Sequence, residues 1–127
     1  MTQMQSSPQV GNFYHVYNRG NNRQNVFFER DNYLYFLQLI RQTFVVHDVD
    51  VVAYCLMPNH YHLLVHLRSE QLSQAMKSLS LSYTKAINKR FNRAGALFQG
   101  RFQKTLVANS EYLVHLIRYI HLNPVKA

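Results

Sequence analysis

The residues of this chain best suited to chemistry are two histidines, His60 and His62, at alternate positions within Met57 to Val65, MPNHYHLLV. The surrounding residues are those of a buried strand. On a strand, alternate side chains share a face and each residue rises about 3.3 Å. Both imidazoles therefore project from one face at a spacing that lets them reach a single ion. As an isolated pair they fit a polar strand face with hydrogen-bonded rings more simply, since seven histidines occur in the 127 residues. Metal chemistry needs a third ligand and a group that uses the ion.

The far end of the chain offers both. Ser110 is placed to cap a helix that runs to about Asn123, where Pro124 blocks its continuation. At 100° per residue Leu113, Leu116, Ile117 and Ile120 share the face to be buried. Tyr112, His115 and Asn123 lie within about 40° of Tyr119, as a polar stripe along the border of that face. A divalent ion held by His60, His62 and the Asn123 side chain would polarise a phosphate and stabilise its leaving oxygen. Tyr119 would then attack and form a covalent phosphotyrosine. Tyr112, two turns earlier, is the alternative nucleophile. The His/His/amide set lacks a carboxylate, so ligand preference alone favours Mn²⁺ or a later transition metal over Mg²⁺.

Charge points to the substrate class. Residues 1–70 hold five basic and five acidic side chains, whereas residues 71–127 hold nine basic ones against Glu111 alone and carry the whole net +8. Such asymmetry suits a polyanion, because Lys and Arg that neutralise phosphates release condensed counterions. Candidate contacts are Arg19 and Arg23 in the polar loop RGNNRQ, and Gln99, Arg101 and Lys104 in LFQGRFQKTLV, a basic, amide and aromatic mixture suited to a single strand. Arg118 on the last helix joins them. Cys55, the single cysteine, lies in an apolar run and offers no nucleophile. With no membrane-length apolar run and no signal pattern at the N-terminus, a cytoplasmic protein is expected.

The elements that must position these groups can be read in order. Residues 1–11 are polar and expected to be disordered, and 12–127 to form one domain. FYHVYNR alternates as a strand, and Asp31 is placed to cap a helix with Tyr33, Phe36, Leu37, Ile40 and Phe44 at helical spacing. Asp48 to Met57 reads as a buried strand, Pro58-Asn59 as a turn and His60 to Leu67 as the hairpin partner. Ser73 is placed to cap a second helix through Arg90 with the stripe Leu72, Met76, Leu79, Tyr83 and Ile87. The segment 97–107 follows with Gly100 as a bend, and then the last helix. The alternation predicts an α+β, ferredoxin-like sandwich: an antiparallel sheet with helices packed on one face.

HYH at 60–62 followed by LLV, LFQGRF at 97–102 and YIHLNPVKA at 119–127 together resemble the single-tyrosine HUH transposases of the insertion-sequence and REP-associated type. The resemblance runs from about Asn12 to the last residue. It implies a ferredoxin-like core, Mg²⁺ or Mn²⁺ on His60 and His62, and Tyr119 as nucleophile. Asn123 takes the place that a glutamine holds in some relatives. It further implies a transposase that cleaves single-stranded DNA at hairpin-flanked sites, leaving a 5′-phosphotyrosine and a free 3′-OH for rejoining, as a monomer or a homodimer. The alternative is a non-catalytic relative that binds DNA or RNA hairpins through the same basic surface.

Overall fold

In the structure of the protein, a computed structural model, residues 9–122 are described. The expected disorder at the N-terminus falls largely on residues 1–8, outside the described residues. The chain runs β1 (Phe13–Arg19), a short 3₁₀ turn (Asn21–Arg23), α1 (Arg30–Val46), β2 (Val49–Met57), β3 (His60–Leu67), α2 (Leu72–Arg90), β4 (Gln103–Val107) and α3 (Ser110–Leu122). The strands form one sheet in the order β2-β3-β1-β4, with every neighbouring pair antiparallel. This βαββαβ order with the first and third strands central is the ferredoxin-like arrangement that the sequence predicts, with α3 added after it. Among the described residues no helix is long and apolar enough to cross a membrane.

Alternation along the strands separates the two faces of the sheet. Tyr14 and Val16 of β1 and Tyr61, Leu63, Val65 and Leu67 of β3 point into the main core, where they meet the apolar stripes of α1 and α2. The expected stripes are buried, apart from Leu37, which packs half-exposed at the edge of the core. Tyr61, between the two histidines, is almost wholly buried and lies edge-on to Phe98 with ring centroids 5.7 Å apart. Burial pushes its hydroxyl above the ordinary tyrosine range, and its ring anchors the strand in the core.

The expectation of helices on one face holds for α1 and α2, whereas α3 takes the other. Leu116 of α3 is buried with Ala53, Cys55 and Leu64, and Leu113 packs partly against the same group. Leu64 follows Leu63 in β3 and therefore points the opposite way. A β-bulge between Val51 and Ala53 shifts the register of β2 against β3. It turns Val51, half-buried, against the main core and Ala53 into the cluster with Leu116 of α3.

Three cap assignments differ from expectation. α1 starts at Arg30, one residue before Asp31, because the buried Asn32 side chain accepts the Phe28 and Glu29 N–H groups at 2.8 and 3.0 Å. α2 starts at Leu72, before Ser73, and the Ser69 hydroxyl oxygen accepts the Gln71 N–H instead. Asn109, not Ser110, caps α3: its side-chain oxygen accepts the Tyr112 N–H at 2.8 Å, and its carbonyl accepts the Leu113 N–H. Replacing such a cap by Ala costs about 1 kcal/mol of helix stability. Asn109→Ala is therefore expected to speed amide exchange in the first turn of α3 by about five-fold while the amides of β3 keep their protection. Hydrogen exchange read by NMR measures both.

Candidate functional site

The register of three strands builds the histidine face. Tyr17 of β1 and Cys55 of β2 lie directly opposite His62, and Arg19 and Met57 directly opposite His60. Gln103 of β4 faces Tyr17. The polar members of these rows, Tyr17, Arg19, His60, His62 and Gln103, line a cleft of about 450 Å³ together with Asn18 and Gln99. The apolar rows beside it seat α3. The helix that carries position 119 and the strand that carries both histidines thus meet on one side of the sheet.

Two bonds orient the imidazoles. Asn59 Oδ1 lies 2.7 Å from His60 Nδ1 and can only accept, so His60 donates its Nδ1–H and keeps its lone pair on Nε2. His62 Nδ1 lies 2.9 Å from Nε2 of His15, and these two rings stack with centroids 5.0 Å apart. The His60 and His62 rings stand edge to face at 5.1 Å. In both rings Nδ1 is committed to a neighbour, which makes Nε2 the nitrogen through which either would bind a cation.

Electrostatics keep these nitrogens basic only in the sense of electron donation. Burial pushes His62 down to about 4, and the His15 and His60 imidazoles act in the same direction by opposing a second positive charge. Burial also lowers His15 and His60. At neutral pH the rings are uncharged, the state a metal ligand needs. Among the described residues no group of three His, Cys, Asp or Glu is arranged to hold an ion. The expected third ligand, Asn123, lies outside the described residues, as does the side chain of Tyr119. The two nitrogen donors alone fit Mn²⁺ or a later divalent ion as a partial ligand set.

The expected nucleic-acid contacts divide between two sides. Arg19 donates from Nε to Gln99 Oε1 at 2.6 Å, and the Gln99 N–H donates to the Arg19 carbonyl, so this pair joins the cleft. Lys104 lies opposite Val16 and so points to the side of α1 and α2. Arg101 lines a separate cavity of about 520 Å³ against α2, with Ser73, Lys77 and Phe102. Arg23 and Arg118 are exposed. Tyr112, the alternative nucleophile, is half-buried in the first turn of α3. His15, Asn59, Tyr17 and Gln103 did not emerge from the sequence as site residues. The alternation of FYHVYNR already put His15 and Tyr17 on one face, but only the β1–β3 pairing sets that face beside His62.

The model of the IS200-like transposase family matches residues 10–123. The chain belongs to this family. A protein of Haemophilus influenzae assigned as a REP-associated tyrosine transposase is 29% identical over 102 residues, 72% of this chain. The chain spans 58% of that relative's length. Among solved structures, a REP-associated tyrosine transposase bound to a REP hairpin superposes with a TM-score of 0.77 at 18% identity, over 98% of this chain and 72% of that one. A protein of Deinococcus radiodurans R1 assigned as a transposase gives 0.63 at 14% identity, over 98% and 100%. At these identities the two structures speak for the fold, which is shared along the described length.

The lowered histidines set a pH dependence. In the unfolded chain His62 takes up a proton below its ordinary 6.5, whereas the folded protein refuses it down to about 4. The unfolded state thus binds more protons in that window, and stability falls as pH drops through it. The metal-free protein should show a Tm that declines between pH 6.5 and pH 4, and His62→Gln should flatten part of that decline. Thermal unfolding across this range reads both.

Proposed function

We propose that this chain is the catalytic domain of a transposase that nicks and rejoins single-stranded DNA through a 5′-phosphotyrosine on Tyr119. The observation that carries the reading is the docking of α3 on the histidine face, with Leu116 packed against Leu64, two residues from His62. The family relationship supports a DNA-processing activity. The REP hairpin bound by the similar transposase of known structure supports a hairpin-flanked DNA substrate, and the surplus of basic groups after residue 70 supports phosphate contacts.

In this reading His60 and His62 would hold Mg²⁺ or Mn²⁺ through Nε2, and Asn123 would supply its amide oxygen as third ligand. When bound, the ion supplies positive charge to the phosphate oxygens. The Tyr119 hydroxyl oxygen attacks phosphorus and loses its proton. The bond to the 3′-oxygen breaks, that oxygen takes up a proton, and the 5′-phosphate stays on Tyr119. Attack by a 3′-OH on this phosphotyrosine reverses the bond changes, joins the strand and restores the tyrosine. The bond energy is conserved throughout, so no nucleotide cofactor is consumed. Arg19, fixed by Gln99 at the rim of the cleft, is suited to hold the strand by a phosphate next to the histidines. Arg23, Arg101, Lys104 and Arg118 would contact the DNA further out.

The test is a denaturing gel of the protein incubated with end-labelled, hairpin-flanked single-stranded DNA and Mn²⁺. Wild type is expected to form a covalent adduct. Tyr119→Phe, His60→Ala and addition of a chelator should each abolish it, whereas Tyr112→Phe should leave it in place. An adduct on Tyr119→Phe equal to that of wild type removes the nucleophile assignment. Hairpin binding that survives without any adduct in wild type would mark a binding protein instead. Binding itself should weaken steeply with salt, each phosphate contact adding about 0.7–0.9 to the slope of log affinity against log salt concentration.

A further inference from the structure

We infer that His15 is a positioning residue for the cation site, acting as the hydrogen-bond acceptor that holds His62 in its Nε2-coordinating tautomer. The inference rests on the proposed reading of His60 and His62 as ligands. His15 sits on the central strand β1, opposite Leu64 and diagonal to His62 on the same face. Its Nε2 is 2.9 Å from His62 Nδ1, and the two rings lie within 22° of parallel.

A hydrogen bond between two neutral imidazoles needs a proton on one nitrogen and a lone pair on the other. If His15 Nε2–H donated, the His62 proton would sit on Nε2 and block coordination there. If His62 Nδ1–H donates to His15 Nε2, the His62 lone pair is on Nε2. Cation binding at His62 Nε2 therefore selects the second arrangement and keeps the bond to His15 instead of breaking it. With its Nε2 so engaged, His15 supports a ligand and does not serve as one through that atom.

His60 gives the parallel. Its Nδ1–H is held by Asn59 Oδ1, an atom that can only accept. The two ligand candidates thus have the same construction, with a neighbour at Nδ1 fixing tautomer and ring orientation. Loss of such a neighbour typically lowers metal affinity by about 10–100-fold. Asn59 comes from the turn that precedes the histidines, and His15 comes from a strand more than forty positions away in sequence.

The experiment compares wild type, His15→Phe and His15→Gln. Phe keeps a ring of similar size but offers no acceptor, and the Gln amide oxygen can reach about where His15 Nε2 lies. Mn²⁺ affinity is measured by electron paramagnetic resonance of the free ion. The His62 ring is read in long-range ¹H–¹⁵N spectra of the Zn²⁺-loaded protein, Zn²⁺ serving as a diamagnetic probe. Wild type is expected to bind Mn²⁺ and to show His62 coordinated through Nε2, with an Nδ1 proton protected from exchange. His15→Phe should weaken Mn²⁺ binding by about 10–100-fold and lose that protection, and His15→Gln should restore both in large part. Equal Mn²⁺ affinity in wild type and His15→Phe, or coordination of His62 through Nδ1 in wild type, overturns the role of His15 alone. Absence of Mn²⁺ binding in wild type removes the cation site, and this inference falls with it.

Discussion

The site depends on the antiparallel register of β1 against β3. That register sets Tyr17 opposite His62 and Arg19 opposite His60, and brings His15 within a hydrogen bond of His62. Because side chains alternate, a slip of one residue would turn both histidines into the packed core and Tyr61 out into the cleft. The penalty against the slip lies on the other face. Tyr61, Leu63, Val65 and Leu67 are all buried there, and each large side chain of this kind contributes about 1.5–3 kcal/mol when removed from water. Apolar packing under α1 and α2 thereby fixes polar geometry on the far side of a sheet one residue thick.

The two faces do different physical work. One is a continuous aromatic and aliphatic core in which Phe36 and Phe98 flank Tyr61. The other is divided into a small apolar patch that seats α3 and a polar cleft beside it. Ala53 and Cys55 contribute little bulk to the patch, and Leu116 is buried with them and with Leu64. The cleft combines neutral imidazoles with the Arg19 guanidinium and two glutamine amides. Such a mixture favours an anionic ligand at the rim while leaving the ring nitrogens free of positive charge.

Most of the fold was legible in the sequence because its signals are local. The hairpin 49–67, the helix stripes and the bend at Gly100, with its φ of +64°, follow from alternation, spacing and one permissive residue. The two histidines and the helix of Tyr119 were legible for the same reason. The cap assignments were not, since Asp31, Ser73 and Ser110 are good capping types and only the bonds made by their neighbours decide where each helix begins. The side of the sheet that α3 occupies depends on contacts between Leu116 and strands more than fifty residues away. His15 escaped notice because a single histidine on a strand carries no meaning until its cross-strand neighbour is known. The split of Arg101 and Lys104 from the histidine cleft is of the same kind: residue type suggests a phosphate, whereas strand parity turns Lys104 to the other face and the bend after Gly100, ahead of β4, leaves Arg101 beside α2.

Gly20 links these themes. Its N–H donates to the Asn59 carbonyl at 2.9 Å, it bridges to Phe98, and a Cβ placed on it would fall 1.9 Å from the Gln24 carbonyl oxygen. The end of β1, the turn that supplies the partner of His60 and the segment that supplies Gln99 converge where no side chain fits. The residues after it, 21–25, are largely exposed and make a loop with its own 3₁₀ turn. That loop is tied back to the segment before Phe98: the Asn21 N–H donates to the Leu97 carbonyl, and the Gln24 amide donates to the Ala96 and Leu97 carbonyls at 3.2 Å. A side chain at position 20 would displace Gln24 and with it the contacts that hold Gly20 between Asn59 and Phe98, so the partner of His60 and the segment of Gln99 share one steric limit.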